Sequence, residues 1–148
     1  MANATAMCTS FKGELLTGTH NFTPSTGNTF KAALYFATGS LGAGTTAYSA
    51  TNEVTNTSGT GYTAGGVTVT NANTPTTNGT TAYWTPSGDF SWTALTITTA
   101  FDAVLIYNSS VSNKAVSVHN FGSQTVTAGN FTLTMPTNNA STGLLRIA

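Results

Sequence analysis

Apolar residues along this chain come in short runs that alternate with polar ones, and Gly, Pro, Asn and Ser separate the runs. In residues 30–36, Phe30, Ala32, Leu34 and Phe36 share one face while Lys31, Ala33 and Tyr35 take the other. That period of two predicts a half-buried strand. Similar alternation predicts strands at 67–70, 81–85, 90–99, 115–121 and 131–135, the last stopped by Pro136. Residues 101–107 are almost continuously apolar and predict the most buried strand, closed by a hairpin loop at 108–113. A final strand is expected at 144–147. Residues 41–60 read mostly as loop with room for a short strand at 47–54, and 72–79, with Pro75, as a connection. The expected core positions are Phe30, Leu34, Val67, Leu95, Ile97, Val104, Ile106, Val118, Phe131, Leu133 and Ile147.

One segment breaks the two-residue period. Residues 10–16 predict one or two helical turns with Phe11, Leu15 and Leu16 on a shared face, ended by Gly18. The first ten residues are small and polar and have no period, so they read as an N-terminal arm (1–10) ahead of a single domain (11–148). About eight strands without helical crossovers imply antiparallel pairing. The fold class expected is all-β: an antiparallel, jelly-roll-like β-sandwich with a short N-terminal helical turn.

Composition narrows the picture. Of 148 residues only 5% are charged, with four Lys or Arg and four Asp or Glu, whereas 39% are hydrophobic. A typical globular chain carries about 25% charged residues. The apolar content argues for a folded domain with a Thr-rich surface rather than low-complexity disorder. Lys12, Lys31, Lys114 and Arg146 are scattered singly, which excludes the basic clusters that nucleic acid or an anionic membrane surface requires. No apolar run approaches the roughly 20 residues of a membrane span. The N-terminal residues lack the pattern of a secretory signal. Cys8 is the only cysteine and reads as a small apolar residue.

Candidate chemistry is sparse. Glu14, Glu53, Asp89, Asp102, His20 and His119 are the acids and imidazoles, and none are paired at a motif spacing. Asp89 and Asp102 are the carboxylates best placed to meet on adjacent strands, but Asp89 fits a turn and Asp102 the start of an apolar strand. Two histidines are too few for a metal site without carboxylate help. No Gly-x-Ser-x-Gly elbow or phosphate loop is present. The expectation is therefore no enzyme, no cofactor and no metal. His119 reads as a surface or sheet-edge residue and His20 as part of a loop docked through Phe22. Exposed aromatics anchor interfaces or stack on sugars. Trp92 reads as core, and Trp84 is left open between core and surface. The candidate interface residues are Phe11, Leu15, Leu16, Phe22, Tyr83 and Trp84.

Several blocks carry a resemblance. They are Met7-Cys8-Thr9-Ser10-Phe11-Lys12-Gly13-Glu14-Leu15-Leu16-Thr17-Gly18-Thr19-His20-Asn21-Phe22, Thr29-Phe30-Lys31-Ala32-Ala33-Leu34-Tyr35, Asn52-Glu53-Val54, Gly61-Tyr62-Thr63-Ala64-Gly65-Gly66, Ala103-Val104-Leu105-Ile106-Tyr107-Asn108 and Leu144-Leu145-Arg146-Ile147-Ala148. In that order they resemble a family of small virion proteins of tailed bacteriophages. The resemblance implies a β-sandwich that decorates or cements the capsid shell, with the major capsid protein as partner. It also implies synthesis in the host cytoplasm and a place on the capsid surface. Self-association, as dimer or trimer, is expected from the N-terminal arm, which is unlikely to fold alone, and from open strand edges with few charges to block pairing. The alternative is a head-fibre or tail-fibre module that binds a receptor or glycan through Tyr83, Trp84 and Trp92.

Overall fold

The computed structural model describes residues 2–55 and 61–148. Its elements are β1 (Ala6–Met7), α1 (Thr9–Leu16), β2 (Phe30–Phe36), β3 (Val67–Thr68), β4 (Thr76–Asn78), β5 (Thr81–Trp84), β6 (Phe90–Asn108), β7 (Lys114–Leu133) and β8 (Leu145–Ile147). They form two antiparallel sheets, β1-β7-β6-β2-β3 and β4-β5-β8. The all-β sandwich expected from the alternation is the fold observed.

The large sheet is built on the β6–β7 hairpin. Two pairs of strands expected separately are single long strands here, because the segments between them continue the ladder through irregularities rather than turning. The reversal at 109–113 is the hairpin loop, with Ser112 and Asn113 at φ 49° and 55°. The apolar run of β6 is buried on both faces from Phe101 to Asn108. On one face Leu34, Ala32 and Phe30 of β2 lie opposite Val104, Ile106 and Asn108. That face meets the small sheet, where Trp84 packs 6.2 Å from Phe30 between ring centroids. The other face, with Ala33, Tyr35, Leu105 and Tyr107, is covered by irregular chain. Tyr48 stacks on Tyr107 at 4.7 Å, and the Tyr62 hydroxyl accepts a hydrogen bond from the Leu34 amide at 3.1 Å.

Several expectations are corrected. No strand forms at 47–54; single bridges tie Ala47 to Lys114 and Glu53 to Tyr35. The loop expected at 41–60 is irregular through Thr55, and 56–60 lie outside the described residues. The connection at 72–79 contains β4, an edge strand that follows Pro75. Ile147, expected in the core, is 48% exposed, because β8 runs past the body that covers Leu145. Val67, Phe131 and Leu133 are half-buried against the core rather than inside it. Leu16 is 90% exposed. Five residues at about 100° each carry it roughly 140° around the helix from Phe11, so it cannot share the face of Phe11 and Leu15.

The segment expected as an arm is held along its length by its own chain. Ala6 and Met7 pair with Val118 and Ser117 of β7. Asn3 is buried, and its amide donates to Asp102 Oδ1 at 2.6 Å and to the Phe36 carbonyl at 2.9 Å. Cys8 is fully buried, and burial followed by the nearby charge of Glu14 pushes its thiol up to about 11.

Candidate functional site

Phe11 anchors α1. One turn on, Leu15 packs on the core and shares a cavity with residues of the small sheet. The loop after α1 brings Phe22 back to stack on Phe30 at 4.3 Å and to meet Phe11 at 6.0 Å and Trp84 at 4.8 Å. Alternation in β5 and its register with β8 place Ala82 opposite Ile147 and Trp84 opposite Leu145. These four residues form one face of the small sheet. Where α1 and this face part, a cavity of about 100 Å³ opens. Phe11, Phe22, Trp84 and Leu145 line it together with Leu15, Pro75, Ala82, Tyr83 and Ile147. Pockets for small-molecule ligands run to about 300–1,000 Å³, so this one has the size of a side chain rather than of a cofactor.

The groove thus gathers five of the six candidate interface residues: Phe11, Leu15, Phe22, Tyr83 and Trp84. Leu16 does not line it. Trp84 is buried, and its indole N–H donates to Asn71 Oδ1 at 3.0 Å and to the Asn73 carbonyl at 3.1 Å. Asn71 in turn donates to the Phe22 carbonyl at 2.9 Å, which fixes the groove floor. Trp92 is also buried, so Tyr83, Trp84 and Trp92 form no exposed aromatic platform.

Behind the groove, α1 is pinned by ions. Glu14 takes Lys114 Nζ at 2.5 Å and His20 Nε2 at 2.7 Å. Burial opposes the Glu14 charge, but the hydrogen bonds from Lys114 and His20 outweigh it and hold the carboxyl below its ordinary value. The Asn108 amide donates both to His20 Nδ1 at 3.0 Å and to Asn28 Oδ1 at 2.9 Å. His20 therefore accepts at Nδ1 and donates from Nε2 to Glu14.

The remaining titratable groups are dispersed. Asp89 Oδ1 accepts from the Met135 amide at 2.8 Å. Asp102, buried within β6, accepts the side-chain amides of Asn3 at 2.6 Å and Asn120 at 3.0 Å. Asp89 precedes β6 and Asp102 lies well along it, each with its own partners, so the two carboxylates do not pair. His119, expected as a surface or sheet-edge residue, is half-buried on β7 and lines an apolar hollow with Phe90, Val104, Phe121, Leu133 and Met135. Its Nε2 lies 2.9 Å from Ser117 Oγ, and burial pushes its pKa down to about 4. Among the described residues no group of three or more His, Cys, Asp or Glu is placed to hold a metal ion, and no helix is long and apolar enough to cross a membrane.

One polar centre has no counterpart in the sequence reading. Glu53 is 1% exposed. Its carboxylate accepts from Tyr48 Oη at 2.6 Å, Tyr62 Oη at 2.8 Å and the Gly65 amide at 2.6 Å. Burial first, and then the Glu53 charge, raise the pKa of Tyr62, and Tyr107 goes up to about 12 for the same two reasons. Spacing could not reveal this centre, because its members come from a loop with no periodicity. No protein-family model, no curated protein and no solved structure matches the chain.

Proposed function

We propose that this is a structural virion protein, without enzymatic activity, that decorates and cements a tailed-phage capsid by binding the major capsid protein through the groove between α1 and the small sheet. The observation that carries the reading is the convergence of Phe11, Leu15, Phe22, Tyr83 and Ile147 on one side-chain-sized apolar cavity. The surface around it belongs to a molecule with eight Lys, Arg, Asp and Glu residues in all. Such a surface loses little by desolvation when it meets another protein. An inserted apolar side chain would act as a central anchor of the kind that dominates interface energetics. The resemblance of the sequence blocks to small phage virion proteins supplies the partner.

The test mixes the protein with undecorated capsids and measures co-sedimentation. Wild type should bind the shell in many copies. Ile147→Asp, at an exposed position on the groove rim, should weaken binding at least tenfold, and Thr98→Asp, an exposed residue of β6, should not. Failure of the wild type to bind shells removes the reading. Binding confined to the tail in electron micrographs would favour the head-fibre or tail-fibre alternative.

A further inference from the structure

The outer edge of β7 is covered only in part. β1 pairs with Ser117 and Val118, and the Asn120 amide donates to Thr5 Oγ1 at 2.9 Å. From Phe121 to Leu133 the strand pairs with β6 alone, and among the described residues no other backbone segment bonds to it. Open edges are normally blunted by charges, above all Lys, or by Pro. Here no Lys, Arg, Asp or Glu lies between Lys114 and Arg146, and no Pro lies between Lys114 and Pro136. Gly122 and Ala128 adopt φ 84° and 48°. Their amides are satisfied internally, by Asn120 Oδ1 at 2.9 Å and Thr96 Oγ1 at 3.1 Å. Residues 123–127 lie between these two interruptions as extended chain without a positive φ. The register shift inside this stretch, between the pairs Phe101–Gln124 and Ile97–Val126, places its extra residues in β6 and not in β7.

We propose that this edge pairs with the same edge of a second copy, antiparallel and centred on Thr125, to make a two-fold dimer with a continuous sheet. An exposed row of N–H and C=O groups calls for an extended backbone as its partner. A strand can face itself across a two-fold axis only if like charges do not meet, and this strand carries none. With Thr125 opposite its symmetry mate, Gln124 faces Val126 and Ser123 faces Thr127. Hydroxyl pairs of this kind favour cross-strand association. The flanking irregularities at Gly122 and Ala128 limit pairing to this stretch and set its register. The proposal does not depend on what the groove binds.

The test needs no capsid. Sedimentation equilibrium should show wild type as a reversible dimer. Thr125→Lys should weaken the dimer at least tenfold with an unchanged circular dichroism spectrum, because it sets two ammonium groups opposite each other. Directly opposed residues on antiparallel strands have Cα atoms about 4.5–5.5 Å apart, within disulfide reach. Thr125→Cys should therefore form a disulfide-linked dimer in air, and Thr132→Cys should not; buried Cys8 does not interfere. A wild type that stays monomeric, or a dimer that survives Thr125→Lys without Thr125→Cys cross-linking, overturns the proposal.

Discussion

Glu53 and His119 show how burial turns ordinary side chains into structural determinants. Glu53 holds Tyr48, Tyr62 and Gly65 together beneath an irregular loop. Glu53→Gln preserves shape but replaces one acceptor oxygen with a donor, which leaves a buried hydroxyl or amide facing an N–H. The variant should lose about 1–3 kcal/mol of unfolding free energy in urea; an unchanged midpoint would mean that water satisfies these donors. His119 is the reverse case, a base made hard to protonate by its apolar surroundings. Its pKa lies near 4 in the fold against an ordinary 6.5. Between those values the unfolded chain binds the proton and the folded chain does not, so stability falls as pH drops from 6.5 toward 4. His119→Gln should flatten the stability profile in that window relative to wild type. Parallel profiles would show that the ring is hydrated. Neither role was legible beforehand: Glu53 is one acid in a loop, and His119 follows Val118 in a strand whose burial depends on what packs over it.

The elements show where periodicity works and where it fails. In β2 alternation marks the strand bounds, but the expected half-buried strand is buried on both faces, with Ala33 and Tyr35 as inaccessible as Ala32 and Leu34. Irregular chain covers its second face, and its ladder shifts register between Tyr35 and Phe36. In β6 the buried residues Phe90, Trp92, Leu95, Ile97 and Phe101 fall out of phase, because register shifts insert extra residues between them. The stretches around Gly122 and Ala128-Gly129 look like turns in sequence, yet they are irregularities inside one long strand. A bulge and a turn use the same residue types, and only the partner strand distinguishes them. Two glycines separate local from tertiary demands. Gly13 lies in α1 with nothing within 4 Å of an added Cβ, so Gly13→Ala should stabilise the protein by about 1 kcal/mol through helix propensity. Gly66 has φ 73°, and a Cβ there would sit 1.9 Å from the Ala32 carbonyl oxygen. Gly66→Ala should destabilise by at least about 1–2 kcal/mol from conformation alone, with more from displacement of β3. Thermal melts of the pair should move in opposite directions.

Across the molecule, the two ends of the chain close the sandwich. Asn3 ties the N-terminal segment to Asp102 of β6, to the Phe36 carbonyl and to the Leu41 amide, and β8 completes the small sheet. Deletion of residues 2–7 removes these bonds and the β1 ladder and leaves Asp102 with Asn120 as its remaining amide donor. It should cost about 1–3 kcal/mol in urea denaturation. An unaltered midpoint would show that the segment adds nothing to the folded state.

The fold class and the main strands could be read from the amino-acid order alone. Phe11, Leu15, Phe22, Tyr83 and Trp84 could be singled out there, but not their convergence on one groove with Leu145 and Ile147. Alternation with period two and helical spacing are local signals, and burial rewards them wherever an element has one wet face. What the order could not supply was the merging of four expected strands into two, the outward turn of Leu16 and Ile147, the capture of residues 2–10 and the Tyr-lined site of Glu53. Each depends on which distant segment arrives as a neighbour. Asn3 meets Asp102, Glu14 meets Lys114 and Asn28 meets Asn108 only once the sheets have assembled, because a hydrogen bond or ion pair requires its two groups at contact distance, and nothing in local spacing encodes that distance.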